Sequence, residues 1–382
     1  MKSVKEIVKG LTNLKVVLGN GFDLFCGLKT SYRDFFDSKI SKYNSFKNIV
    51  NQINYNKFYK SRYYYEDETN IESKIYNENT VWDLYFYLIS GQDNNLRWCD
   101  IEKAMHDSFF NNKFKWENIY NILTKDNNYY SYNFNEYCCA FFIKNKYFAK
   151  IVYPQILLDE FYEILLDELN IFEKSFGEYI LNEQEKSKIY FPNCINTIKK
   201  FSDNKQNITS IETFNYTNIS DLDEWPFVKI NNINGDTSSP IFGIDYAKIG
   251  PNSKEFNFTK TSRKLKNNLL NKQINEYMPF DNLLIFGHSL NEHDYSYIFP
   301  LLDELDLFAY KGQSKLILAY YVYDNNKKIN IIDDIRLNLS KLIFEYENSK
   351  GRTDHRLLDS LMQKQRIILY EIDDSIEITT NI

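Results

Sequence analysis

Four short polar segments in this chain each follow an apolar run of the kind that forms a buried strand. The segments start at Gly19, Thr213, Ile230 and Gly287, and they carry glycine, asparagine, aspartate and histidine side chains. The carboxyl ends of parallel strands meet at one edge of a sheet, where α/β folds bind their ligands. We therefore expect the four segments to converge on one pocket and to supply the chemistry of the protein.

The first segment follows the apolar run from Leu14 to Leu18 and contains two glycines, Gly19 and Gly21. Glycine lets a ligand approach the backbone closely, and N–H groups freed at a strand-to-helix turn favour phosphate. The segment departs from the dinucleotide fingerprint, because Leu24 stands at the third glycine position. A turn that serves only the fold is an equal alternative. Asp23 could bind a ribose hydroxyl, polarise a water or simply cap the turn.

Asparagine side chains dominate the second and third segments. Asn215 follows the run that begins at Ile208, and its amide could hold a ribose hydroxyl, another amide or an attacking water, because it both donates and accepts hydrogen bonds. The alternative is that Asn215 bonds its own turn. Alternation along a strand places Asn232 and Asn234 on one face. A polar crevice satisfies such amides more readily than a core does.

The fourth segment runs from Gly287 through His288 to Asp294. His288 could act in acid–base chemistry, since imidazole titrates near neutral pH. The alternative is a structural histidine that is bonded to a backbone carbonyl. His288 and His293 are five positions apart, so they do not share one face of a helix. We therefore expect no bound metal.

The elements that must position these segments alternate between strand-like and helical patterns. Strands are predicted at residues 14–18, 208–213, 228–233, 241–244, 283–286, 315–323 and 366–372, and helices at 294–308 and 354–365, with another starting near Thr30. Such alternation is typical of right-handed β-α-β units. The sequence therefore predicts an α/β fold with a mainly parallel, Rossmann-like sheet.

The middle of the chain has a different pattern. Apolar residues recur at helical spacing after Pro154, and shorter helical patterns occupy residues 82–88 and 101–110. We expect residues 44–205 to form a helical insertion that caps the sheet. Residues 1–43 and 206–382 would then form the nucleotide-binding domain.

Composition narrows the class of protein. The chain has 382 residues, 43% of them hydrophobic, and a formal net charge of −6, which argues against a broad nucleic-acid surface. No apolar stretch has the length of a membrane-spanning helix, and the amino end lacks the apolar centre of a secretory signal. Five cysteines without a C-x-x-C pair indicate reduced thiols. These features predict a cytoplasmic protein that does not contact membranes.

The polar segments, taken in order, resemble those of the bacteriophage abortive-infection family AbiH. The resemblance rests on Leu-Gly-Asn-Gly-Phe-Asp-Leu ending at Leu24, then Gly-Leu-Lys-Thr-Ser-Tyr from Gly27, Phe-Asn-Tyr-Thr from Phe214, Ile-Asn-Gly from Ile233 and Phe-Gly-His-Ser-Leu from Phe286. It covers both ends of the chain and little of the helical middle. AbiH-like proteins are in turn distantly similar to SIR2-like proteins, some of which destroy NAD in phage defence.

The resemblance implies roles for individual residues. The glycine loop, comprising Gly19, Asn20, Gly21, Phe22 and Asp23, would hold the nucleotide phosphates. Asn215 would lie beside the nicotinamide ribose, and Gly287, Ser289 and Asp294 would lie near the second ribose. NAD or a related nucleotide would be the ligand or substrate. The helical cap, or assembly of several copies, would hold the activity back until infection, when a phage-encoded trigger would release it.

One position departs from the SIR2-like pattern. The His-Gly pair that supplies the SIR2 base is Asn234-Gly235 here, and an amide cannot accept the proton of a water. Hydrolysis of the nicotinamide–ribose bond depends less on a strong base, since positioning and electrostatics can stabilise its oxocarbenium-like transition state. The expected function is thus an anti-phage effector that hydrolyses NAD, with Asn215, Asp23 and His288 as catalytic candidates. The alternatives are a catalytically inactive nucleotide sensor or a nuclease toxin.

Overall fold

A computed structural model describes most of the chain. The described residues are 4–39, 46–47, 50, 73–90, 101–110, 113–124, 132–149, 151, 153–201, 207–219, 228–246, 249–271, 278–309 and 311–372. The chain divides into two compact units. The sheet unit comprises residues 1–30, 177–240 and 264–382, and the helical unit comprises residues 31–176 and 241–263.

Helices and strands alternate at both ends of the chain, and helices alone occupy the described part of its middle. In chain order the elements are α1 (Val4–Lys9), β1 (Leu14–Leu18), α2 (Asn20–Phe25), α3 (Tyr32–Ser38), α4 (Ser73–Glu78), α5 (Val81–Ser90), α6 (Ile101–Phe110), α7 (Trp116–Thr124), α8 (Phe134–Tyr147), α9 (Leu158–Lys186), α10 (Tyr190–Lys200), β2 (Ile208–Thr213), β3 (Lys229–Asn232), α11 (Lys260–Asn271), β4 (Asn282–Phe286), α12 (Tyr295–Glu304), β5 (Lys315–Tyr320), α13 (Lys328–Ser349), α14 (Leu357–Gln363) and β6 (Ile367–Glu371). Short 3₁₀ turns lie at Lys254–Phe258, Glu292–Asp294 and Asn325–Lys327.

The sheet unit contains a six-stranded sheet in the order β3-β2-β1-β4-β5-β6, and every neighbouring pair is parallel. This is the strand order of doubly wound dinucleotide-binding folds. The α/β class and the parallel sheet are therefore confirmed, and the topology is compatible with a Rossmann-like fold. Six of the seven predicted strands form, within a few residues of their predicted bounds.

Both faces of the sheet are covered by apolar side chains, which explains why its strands read as continuous apolar runs. On one face, Val16 of β1 packs in a cluster with Val8 of α1 and Ile198 of α10. On the other, Val17 packs in a cluster with side chains from α12, α13 and α14, among them Leu302 and Leu342. Adjacent residues of β1 thus serve opposite cores, as the alternation of a strand requires.

The strand predicted at residues 241–244 is wrong. Ile244 forms only an isolated parallel bridge to Thr259, and the segment otherwise has no regular structure. Its apolar side chains are buried, but the backbone N–H of Phe242 donates to the carboxylate of Glu173, 2.6 Å away, and not to a neighbouring strand. The apolar run at this position therefore reflects burial of the segment, and the segment does not belong to the sheet.

The helical unit is built around an aromatic core with buried ion pairs. The indole of Trp82 on α5 packs against that of Trp116 on α7, with ring centroids 4.8 Å apart. Lys39 Nζ lies 2.8 Å from the Asp83 carboxylate, and both side chains are nearly inaccessible to solvent. Among the described helices of the chain, none combines the length and the apolar character that a membrane crossing needs.

The helix predicted near Thr30 is confirmed as α3, which begins at Tyr32. Ser31 caps it in a capping box with Asp34, where each residue satisfies a backbone N–H of the other. A second, unpredicted helix precedes it, because α2 starts at Asn20, directly after the strand. The glycine turn is therefore shorter than the sequence indicated.

Candidate functional site

Four neighbouring strands end level with one another. Leu18 of β1 pairs with Thr213 of β2 and with Phe286 of β4, and Thr213 in turn pairs with Asn232 of β3. The four polar segments therefore leave the sheet at the same edge. In open α/β sheets a ligand binds beyond the carboxyl ends of the strands, where the strand order reverses. Here that point lies between β1 and β4.

Two of the polar segments contact each other directly at this point. Gly19 N donates to Phe286 O at 2.9 Å, and Gly21 N donates to Gly287 O at 2.8 Å. A Cβ atom on Gly19 would lie 2.6 Å from Gly287 O, so only glycine allows the two backbones this close approach. This close backbone contact explains why glycine occupies these positions, without any bound ligand.

This contact also uses the donors that were expected to bind phosphate. The N–H groups of Gly19 and Gly21 donate to the β4 segment, and that of Phe22 donates to Gly19 O at 2.9 Å. The Phe22 ring is fully buried and packs edge-on against Phe286. These groups stabilise the fold, so an anion at this edge would need other donors.

Asp23 forms the centre of the site. Its carboxylate is buried and accepts hydrogen bonds from the hydroxyls of Tyr190, at 2.7 Å, and Thr217, at 3.0 and 3.2 Å, and the Asn215 side chain lies near it. Burial raises the pKa of Asp23 from 3.8 to about 7, against the polar side chains of Tyr190, Thr217 and Asn215, which lower it. A carboxyl group with such a pKa is a mark of functional sites, although structural networks produce it too.

The Asn215 side chain joins two of the polar segments. Its Nδ2 donates to Gly19 O at 3.0 Å, while its backbone N donates to Thr213 Oγ1. The side chain therefore does not simply bond its own turn, which was the alternative to a functional role. Asn215 thereby connects the loop after β1 with the loop after β2.

Two further amides hold the loop after β2. Asn232 Nδ2 donates to the backbone oxygens of Asn215 and Thr217, and Asn234 Nδ2 reaches Phe214 O at 3.4 Å. Both side chains thus contact the same turn, although only Asn232 belongs to β3 and Asn234 lies in the turn that follows it. Asn234 Oδ1 is buried and accepts no hydrogen bond from the described residues. Buried acceptors normally have a partner, so this oxygen is suited to a water or a ligand donor.

Both ring nitrogens of His288 are engaged. Nδ1 accepts a hydrogen bond from the Leu290 backbone N at 2.9 Å, and Nε2 lies 3.4 Å from the Asp294 carboxylate. Since Nδ1 is an acceptor, the proton of the neutral imidazole resides on Nε2. The ring packs on Phe214, with centroids 4.4 Å apart. This arrangement suits a residue that holds the loop in place better than one that accepts a proton.

Two of the remaining candidate residues, Asn20 and Ser289, are exposed at the surface. Asn20 is exposed, and its side-chain oxygen accepts a hydrogen bond from the Thr30 hydroxyl at 2.7 Å. Ser289 is also exposed, and its backbone oxygen accepts from Asn338. The structure thus brings together Gly19, Asp23 and Asn215, with Asn234 and His288 against the neighbouring Phe214.

Two residues of the site were missed from the sequence. Thr217 lies two positions after Asn215, and the sequence pattern assigned it no role of its own. Tyr190 is 167 positions away from Asp23, at the first residue of α10, and no local pattern marks it. Within the described part of the chain, no group of three or more His, Cys, Asp or Glu side chains could hold a metal ion.

The buried carboxyl group makes stability depend on pH. In the unfolded chain Asp23 ionises near its usual pKa, whereas in the folded chain it keeps its proton until about pH 7. Between these values the folded state binds more protons, so stability falls as the pH rises through this window. We expect the free energy of unfolding to fall, relative to an Asp23→Asn variant, by up to about 4 kcal/mol between about pH 4 and 8.

Urea unfolding at a series of pH values measures this difference. The exposed Asp354 lies in the same unit, and Asp354→Asn should track the wild type throughout. Parallel pH curves for the wild type and Asp23→Asn would show that Asp23 ionises in the folded protein as it does in the unfolded chain.

Comparisons with known proteins add no assignment to this geometry. A scan against protein-family models, a search of curated proteins and a search of solved structures each found no match to the chain.

Proposed function

We propose that this protein binds NAD or a related nucleotide at the carboxyl edge of its sheet and hydrolyses the bond between nicotinamide and ribose, as an effector of anti-phage abortive infection. The observation that carries the proposal is the convergence of Asp23, Asn215 and Asn234 beside the point where the strand order reverses. The resemblance to AbiH and SIR2-like proteins supplies the biological setting and favours a SIR2-like sheet.

The proposed reaction needs positioning more than strong acid–base catalysis. The bond between C1′ of the ribose and the nicotinamide nitrogen breaks, and its electron pair neutralises the charged nitrogen of the leaving group. Water adds to C1′ and releases one proton, which gives ADP-ribose and nicotinamide. An amide oxygen such as that of Asn215 would orient the ribose hydroxyls or the water, because it accepts their hydrogen bonds.

The pyrophosphate requires a partner other than the amides of Gly19 and Gly21. Lys264 supports this part of the proposal, since its ammonium group donates to Tyr297 Oη at 2.6 Å, and the Tyr297 ring packs edge-on against Phe214. The Tyr297 and Phe214 rings therefore connect the Lys264 ammonium group with the site. Asn20, which is exposed at the start of α2, offers a further polar contact.

A specific observation favours a second candidate, a nucleotide sensor that performs no chemistry. The two groups best suited to accept a proton are constrained, because Asp23 is enclosed and both nitrogens of His288 are engaged. Position 234 carries an amide, which cannot accept a proton. A protein of this kind would bind the nucleotide and change shape in response to a phage-encoded trigger or on assembly.

Incubation with NAD separates the two candidates. Purified protein should release free nicotinamide, and Asn215→Ala should lower the rate about 100-fold, as loss of one positioning group typically does. Asn348→Ala, an exposed asparagine on α13, is the matched control and should retain wild-type activity.

Calorimetry with NAD and ADP-ribose completes the test. Tight binding without nicotinamide release would support the sensor, whereas neither binding nor release would contradict both candidates. Metal-dependent degradation of RNA by the purified protein would instead support a nuclease.

A further inference from the structure

The turn after β2 is held from the neighbouring strand by the side-chain amide of Asn232. Its Nδ2 donates to Asn215 O at 3.0 Å and to Thr217 O at 2.8 Å, so both hydrogens of this nitrogen are used. Asn232 lies directly opposite Thr213 in the parallel pairing of β2 with β3. The Asn232 side chain therefore reaches beyond the last residue of β2 and contacts the backbone that follows it.

A hydroxyl group fixes the same turn on the amino side of Asn215. Thr213 is buried, and its Oγ1 accepts a hydrogen bond from Asn215 N at 3.0 Å. The peptide groups before and after Asn215 are thus both bonded to side chains. Because Asn215 lies beyond the end of β2, these side chains hold its backbone where the hydrogen bonds of the sheet have ended.

The side chain of Asn215 continues this connection to β1. Its Nδ2 donates to Gly19 O at 3.0 Å. Flipping the amide would place Asn215 Oδ1 against the carbonyl oxygen of Gly19, and two acceptors cannot bond to each other. The nitrogen therefore stays on Gly19 O, and the oxygen is directed elsewhere. Hydrogen bonds thus run from β3 through Asn232 and Asn215 to the loop after β1.

We propose that Asn232 and Thr213 are positioning residues, which act through the backbone of Asn215 to hold its amide where Oδ1 meets a hydrogen-bond donor of the ligand. A ribose hydroxyl or the attacking water is such a donor. The inference rests on the proposed function, which supplies the identity of the ligand. A displacement of about 1 Å can lower a rate about 100-fold, so such residues control catalysis without touching the substrate.

Asn232→Asp removes the donor and leaves the size of the side chain almost unchanged. The new carboxylate would face two carbonyl oxygens, so the turn would move away and carry the Asn215 amide with it. We expect kcat for nicotinamide release to fall about 30-fold, with a change in KM of less than about twofold. Asn196→Asp adds the same charge at an exposed position of α10 in the same unit, and it should retain wild-type kinetics.

A double-mutant cycle with Asn215→Ala shows whether Asn232 acts through Asn215. The single variants are expected to lose about 30-fold and about 100-fold in kcat, and independent roles would multiply to about 3,000-fold. If Asn232 acts only through Asn215, the double variant loses about 100-fold, no more than Asn215→Ala alone. Multiplied losses in the double variant would overturn the inference.

A second pair of variants covers the case in which Asn232→Asp does not fold. Thr213→Val removes the hydroxyl and keeps the shape of the side chain, whereas Thr213→Ser keeps the hydroxyl. We expect Thr213→Val to lose about tenfold in kcat, and Thr213→Ser should restore most of that loss. Equal kcat values in these two variants, with thermal melts like that of the wild type, would overturn the inference.

Hydrogen exchange separates a failure of this inference from a failure of the proposed function. The side-chain amide protons of Asn215, followed by NMR, should exchange about tenfold faster in Asn232→Asp and in Thr213→Val, because the hydrogen bond to Gly19 O weakens. Faster exchange in a protein that does not hydrolyse NAD would support the positioning and contradict the proposed reaction. Exchange at the wild-type rate in both variants would overturn the inference, whatever the enzyme assay shows.

Discussion

Gly287→Ala is expected to lower the free energy of unfolding severely. Gly287 has a φ angle of +71°, and a Cβ atom there would lie 2.3 Å from the backbone N of Phe22. The backbone of α2 cannot move away without breaking the hydrogen bond from Gly21 N to Gly287 O. The left-handed conformation and the clash together should cost roughly 5 kcal/mol, a large share of the stability of a typical domain.

Gly351→Ala separates the cost of the left-handed backbone conformation from the cost of the steric clash. Gly351 has nearly the same φ angle, +68°, but a Cβ atom there would meet no atom within 4 Å. It should therefore lose only about 1 kcal/mol, the cost of the backbone conformation alone. Urea unfolding of both variants measures the difference, and equal losses would show that the contact between the two loops does not require glycine.

Arg366→Met is expected to produce the second largest effect. The Arg366 side chain is buried, and its guanidinium donates to the backbone oxygens of residues 305, 306, 307, 309 and 314. It thereby satisfies the carbonyls that follow the end of α12. Methionine fills a similar volume without donating, so several buried acceptors would be left unpaired, at a cost of roughly 4 kcal/mol.

The exposed Arg336 on α13 provides the matched control. Its guanidinium pairs with Asp333 at the surface, so Arg336→Met should change stability by less than about 0.5 kcal/mol. Thermal unfolding of the two variants under identical conditions gives the comparison. If Arg366→Met had the same melting temperature as the wild type, the result would contradict this account and would show that water replaces the guanidinium at these carbonyls.

The parallel sheet could be predicted from the sequence because burial on both faces leaves a continuous apolar signal. The run from Leu14 to Leu18 forms β1 with those same bounds. The same signal failed at residues 241–244, where burial in the helical unit produces apolar residues without a strand. An apolar run therefore indicates burial, and it predicts a strand only where turn residues and alternating helices flank it.

The candidate site was predictable in its location but not in its internal contacts. The polar residues after β1, β2 and β4 meet at one edge of the sheet, because parallel strands bring such residues together. The sequence could not show that the glycine amides bond to the β4 segment, since that contact joins Gly21 to Gly287 across the fold. Nor could it show Tyr190 beside Asp23, because burial of a tyrosine hydroxyl leaves no pattern in neighbouring residues.

A crystal structure of the protein with bound ADP-ribose tests the central claim most directly. We predict density for the ligand beyond β1 and β4, with a ribose hydroxyl or a bridging water within hydrogen-bond distance of Asn215 Oδ1 and with Asn215 Nδ2 still on Gly19 O. Density elsewhere on the molecule, or a phosphate oxygen held by Asn215 Nδ2, would contradict the account.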